Sequence, residues 1–94
     1  MKSEEGMKQW TIVSVIMTIL AFVLDFSGLE RAVLLLATWN IVLMELANTG
    51  LETVVNRISD DLHPLSKKAK DIGSGMVFFA IVMAAIVWLL ILFG

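Results

Sequence analysis

Cysteine is absent from this 94-residue chain, so neither a disulfide framework nor thiolate chemistry is open to it. Its one histidine, His63, cannot build a zinc site alone. Charge is scarce as well: 17% of residues are Asp, Glu, Lys or Arg, with a net charge of -2. The cationic residues form no broad basic face that could follow a phosphate backbone, which excludes nucleic acid as a partner. No Gly-x-x-x-x-Gly-Lys-Ser/Thr loop and no soluble-kinase signature occurs, so nucleotide phosphates cannot be cradled in either of those ways. No small-residue cleavage pattern follows the first apolar run, and no removable signal peptide is expected. Internal repeats and low-complexity tracts are missing too.

What is abundant is apolar surface. Hydrophobic residues make up 59% of the chain, well above the roughly 45–50% of ordinary soluble domains. A soluble chain this short has little room to bury such surface, so lipid is the expected solvent. A hydrocarbon core about 30 Å thick takes on the order of 20 apolar residues in a helix. Three stretches meet that need, at about residues 10–26, 32–55 and 75–93. The expected architecture is therefore an all-α membrane protein, one domain over residues 1–94, with three transmembrane helices. The brief Ser27-Gly28-Leu29-Glu30-Arg31 segment should reverse the chain between two antiparallel spans. Residues Met1 to Gln9 read as a short polar lead-in, and about 57–71 as the one sizeable aqueous loop. The N-terminus and that loop share Lys2, Lys8, Arg57, Lys67, Lys68 and Lys70, whereas the opposite side has only Arg31. The positive-inside rule then makes the N-terminus and loop cytoplasmic and turns the C-terminus outward.

Ionisable groups inside a membrane are costly, at about 2.5–3.5 kcal/mol near a helix centre on insertion scales, and each needs a reason. In the second span Glu45, Asn48, Glu52 and Asn56 fall within an arc of about 80°, with Thr49 beside it and Asn40 roughly opposite. Three short helices offer little interior for such a stripe, which points to several subunits meeting there. The amides alone would serve as interhelical hydrogen-bonding glue, but two carboxylates on one face point to function. Glu45 and Glu52 are about 10 Å apart along the axis, too far for one metal ion to bridge easily. Glu52, nearer the loop, suits a metal, and the deeper Glu45 suits proton transfer at the lipid–water boundary.

The run Glu45-Leu46-Ala47-Asn48-Thr49-Gly50-Leu51-Glu52-Thr53-Val54-Val55-Asn56-Arg57-Ile58, followed by His63-Pro64-Leu65 and Ala69-Lys70-Asp71, resembles the signature of prokaryotic diacylglycerol kinases. The likeness spans nearly the whole chain, since Glu4 to Gln9 matches the segment before that family's first span. It implies a homotrimer of three-helix subunits in the bacterial inner membrane, with sites between subunits near the cytoplasmic face. ATP is the implied phosphoryl donor, Mg²⁺ the cofactor and a membrane lipid alcohol the acceptor. Glu45 matches the family's general base, Glu52 and Glu4 its metal- and phosphate-holding acids, and Asn48, Lys70 and Asp71 further active-site positions. Two departures stand out. The amphipathic surface helix that family members usually carry before the first span is almost absent, and Asn56 replaces a common Asp.

Diacylglycerol is favoured over undecaprenol as acceptor because Lys70-Asp71-Ile72-Gly73-Ser74 looks like the diacylglycerol branch. A small proton-coupled transporter is the competing reading, but it would need an acid-lined path across the bilayer, and these acids cluster toward the loop side. A purely structural subunit would tolerate Gln at Glu45 or Glu52. Among the remaining residues, His63 is expected to play a structural or solvent-facing part, and Lys67 and Lys68 to meet anionic headgroups. Gly73 and Gly75 should allow close backbone approach, and Trp10 and Trp88 should anchor at the interfaces.

Overall fold

The computed structural model describes residues 3–58 and 63–94, with side chains from Glu5 onward. Three helices make up the described residues: α1 (Ser3–Val23), α2 (Gly28–Ile58) and α3 (Pro64–Phe93). Each is long and apolar enough to cross a membrane. Their outer faces carry Ile12, Phe22, Leu36, Phe78, Phe79 and Phe93, all more than 60% exposed, a surface that hydrocarbon rather than water would solvate. At 1.5 Å per residue the 31 residues of α2 and the 30 of α3 span about 45 Å, well beyond a core about 30 Å thick. Their ends overhang it.

The helices start earlier than the hydropathy suggests. α1 already runs through residues 3–9, so this stretch is helix rather than a lead-in; Glu5 in its opening turn suits the positive end of the helix dipole. The segment read as an aqueous loop is mostly helix too: Arg57 and Ile58 close α2, and α3 opens at Pro64. There the His63 Nδ1 accepts from the Leu65 N–H at 3.1 Å, and Pro64 takes the first helical position, where its missing N–H costs nothing. His63 is thus a helix cap. Asp60 and Asp61 lie outside the described residues.

A capping box sets the start of α2. Ser27 Oγ accepts from the Glu30 N–H at 3.1 Å while Glu30 Oε1 accepts from the Ser27 N–H at 2.9 Å, satisfying two otherwise orphaned donors. Across the reversal, Arg31 reaches back to α1: its Nε donates to the Ala21 carbonyl at 2.8 Å and its Nη2 to the Phe26 carbonyl at 3.2 Å. Its guanidinium also lies 5.2 Å from the centre of the Phe22 ring. Ser27→Ala should cost about 1 kcal/mol of stability, read as an earlier unfolding midpoint in a denaturing-detergent titration.

α2 is the central element and packs against both neighbours, whereas the backbones of α1 and α3 stay apart. Its packing stripe, Leu34, Thr38, Ile41, Glu45, Asn48 and Val55, advances in steps of three and four and then by a final seven. On α3, Gly73, Val77, Ala80, Ala84 and Trp88 face it. Side chains of α1 and α3 meet over α2, where Ala21 and Leu34 cluster with Trp88, and Trp10 packs against the cluster of Ile41, Ala80 and Ala84. Trp88 is therefore no interfacial anchor. It is 8% exposed, stands edge-on to Phe26, and donates its Nε1–H to Thr38 Oγ1 at 2.9 Å, because a buried indole N–H needs a partner. Trp39 makes the corresponding bond to Thr18 on α1.

Candidate active site

The polar stripe of α2 is the continuation of its packing stripe, with acids and amides standing where the other end of the helix has Leu34 and Ile41. Glu45 is 5% exposed and Asn48 6%. The chain's own helices shield both side chains, so their burial requires no second copy. Glu52, one turn further along, is half-buried, and Asn56 is exposed. Asn56 shares the arc but lies in the final turn of α2. Asn40 is exposed on the other side, as the helical spacing predicts.

Gly73 is the point of closest approach from α3: a Cβ there would collide with Asn48 Oδ1 and would come within 3.2 Å of Asn48 Cγ and 3.4 Å of Leu51 Cδ1. Gly75, two residues on, is exposed with nothing within 4 Å of such a Cβ, so the close approach expected of both glycines belongs to Gly73 alone. The antiparallel pairing of Asn48 and Leu51 with Gly73 brings Lys70 to about the height of Glu52. Lys70 is half-buried beside that contact.

Asp71 does not join this group within the chain. Two residues from Gly73, it falls on the far side of α3, where it pairs with Lys67 at 3.9 Å, both side chains at least 70% exposed. Such an exposed pair adds little to stability. Glu4 lies in the first turn of α1, and its side chain is outside the described residues. The antiparallel register of α1 on α2, with Ala21 in the cluster of Leu34 and Trp10 packed against the cluster of Ile41, carries that turn toward the Asn48–Glu52 stretch of α2.

Two atoms here lack a partner among the described residues: Asn48 Oδ1 and Thr49 Oγ1 are buried without a hydrogen bond. Thr49, between Glu45 and Glu52, is the site residue that sequence reasoning left aside; its place beside the polar arc was the available signal. Among the described residues no three His, Cys, Asp or Glu side chains converge as a metal cage. Mg²⁺, however, is commonly held by one or two carboxylates together with substrate phosphates. The oxygen donors Glu52 and Asn48 suit that mode.

A crevice of about 190 Å³ opens one turn deeper than Glu45, lined by Trp10, Met17, Ile41, Ile81, Ala84 and Trp88 among others. It exceeds the apolar cavity of about 150 Å³ that holds benzene. Its wall is almost wholly hydrocarbon.

Residues 1–92 match the family model described as prokaryotic diacylglycerol kinase. The chain belongs to the prokaryotic diacylglycerol kinase family. Among its relatives, a diacylglycerol kinase of Pseudomonas aeruginosa is 37% identical over 93 residues, covering 99% of this chain and 76% of the relative. One from Escherichia coli is 32% identical over 92 residues, 98% and 75% of the two chains. One from Haemophilus influenzae is 36% identical over 92 residues, 98% and 78%. The activity class follows from membership: a diacylglycerol kinase is a phosphotransferase, and this multi-pass membrane protein is one of that family.

Proposed function

We propose that the chain transfers the γ-phosphoryl group of ATP to the free hydroxyl of diacylglycerol, giving phosphatidic acid, at the end of α2 that carries Glu45, Asn48 and Glu52. The observation that carries this reading is the pairing of a buried carboxylate, Glu45, with an apolar crevice just below it and charged groups just above it. A lipid whose acyl chain lies in hydrocarbon presents its hydroxyl at that boundary. There the Glu45 carboxylate takes the hydroxyl proton as the oxygen bonds to the γ-phosphorus, and the bond from that phosphorus to the β,γ-bridging oxygen breaks to release ADP.

Phosphoryl transfer depends on alignment and on charge placed around the phosphate oxygens. Lys70 supplies a cation at the height of Glu52. Glu52 and Glu4 would hold Mg²⁺, which supplies the neutralising charge when bound with ATP. Asn48 and Thr49 offer hydrogen bonds between the two acids. Asp71 faces away within the subunit, which supports a homotrimer in which it serves a neighbouring site. The excess of Lys and Arg at the Glu52 end supports placing that end at the cytoplasmic face, where ATP is found, with the C-terminus outward.

The test is transfer of labelled γ-phosphate from Mg·ATP to diacylglycerol and, separately, to undecaprenol in mixed micelles. Labelled phosphatidic acid is expected. Preferential labelling of undecaprenol would reassign the acceptor, and labelling of neither lipid by folded protein would overturn the kinase reading for this chain.

A further inference from the structure

We propose that Gly73 is a positioning residue: the missing Cβ is the slot that holds the Asn48 amide in its working orientation. The inference rests on the reading of Asn48 as part of the kinase site. Asn48 is 94% buried by the converse of its 6% exposure, yet its Oδ1 has no hydrogen-bond partner among the described residues. Buried polar atoms are nearly always paired, and an orphan calls for a role. This one lies against Gly73, whose added Cβ would collide with the oxygen. Asn48 also stands three residues after Glu45 and four before Glu52, on the same face of α2. An unpaired acceptor between the two acids is what a substrate hydroxyl or a phosphate-bound cation could use.

A side chain at 73 leaves two ways out. The amide could swing to another rotamer, withdrawing its oxygen from the site. Alternatively α3 could move off α2, carrying Lys70 with it, since Lys70 is one turn away on the same helix. In either case the damage begins at Asn48. That dependence separates a positioning role from a general need for a small residue where two helices pack.

The experiment is a double-mutant cycle of Gly73→Ala and Asn48→Ala on the full chain in micelles, reading kcat, the KM for Mg·ATP and the thermal midpoint. Gly73→Ala alone is expected to lower kcat at least about tenfold with the KM changed less than about threefold, and to lower the midpoint. In the Asn48→Ala background, where the space is vacated, the same change should alter kcat less than about twofold and leave the midpoint level or raised. Equal losses in the two backgrounds, or full activity and stability in Gly73→Ala, overturn the proposal. The midpoint arm needs no turnover. It decides the steric coupling even if Asn48→Ala is inactive, and it keeps failure of this proposal distinct from failure of the kinase reading.

Discussion

Glu45→Gln should leave a folded protein that no longer transfers phosphate. The general base contributes typically about 10²–10⁴-fold to such a step, so kcat is expected to fall by at least about 100-fold. The KM for Mg·ATP should hardly move, because in the proposed reaction Glu45 meets the acceptor hydroxyl rather than the nucleotide. Stability points the other way. Glu45 is 5% exposed, and burying an amide is less costly than burying a carboxylate of the same shape. The variant's unfolding midpoint should therefore match or exceed the parent's. Steady-state kinetics beside thermal melts in the same micelles check both halves, and a variant of near-parental activity would remove Glu45 from the mechanism.

The second large effect concerns the metal. Chelation of divalent cations should silence the enzyme, and Mg²⁺ should restore it. Glu52→Gln should raise the Mg²⁺ concentration for half-maximal rate on the order of tenfold, equivalent to about 1.4 kcal/mol. Part of the rate should return at high Mg²⁺, because the substrate phosphates would still hold the ion. That partial rescue separates Glu52 from Glu45, whose loss no concentration of metal should repair. A Glu52→Gln enzyme with an unchanged Mg²⁺ profile would assign the metal elsewhere.

Much of this arrangement was legible in the residues. The three apolar stretches mark the spans, and the spacing of Glu45, Asn48 and Glu52 puts them on one face. Hydropathy is blind, however, to where a helix begins, because polar residues in water extend a helix as well as apolar ones do. Pro64 to Asp71 was read as loop for that reason, although His63-Pro64 is a cap followed by a favoured first residue. The Ser-x-x-Glu capping box at Ser27 to Glu30 could likewise have been read directly. Burial depends on partners. No spacing rule states that Trp88 turns toward Thr38 rather than the headgroups, or that Gly73 and not Gly75 meets Asn48. The face of Asp71 could have been read from its two-residue offset from Gly73, once Gly73 was known to face α2.

Arg31 bears on how such a protein enters the bilayer. In the proposed orientation, with the α1–α2 reversal facing outward, it is the basic residue that must be carried across when the hairpin is inserted. Its guanidinium then rests on the Ala21 and Phe26 carbonyls and over the Phe22 ring, so the tip of the hairpin brings its own solvation with it. A cation neutralised by the carbonyls at the end of its partner helix crosses hydrocarbon as part of a folded pair more readily than on a lone helix. α1 and α2 should accordingly enter the membrane together, as one biogenic unit, before α3 closes over Asn48.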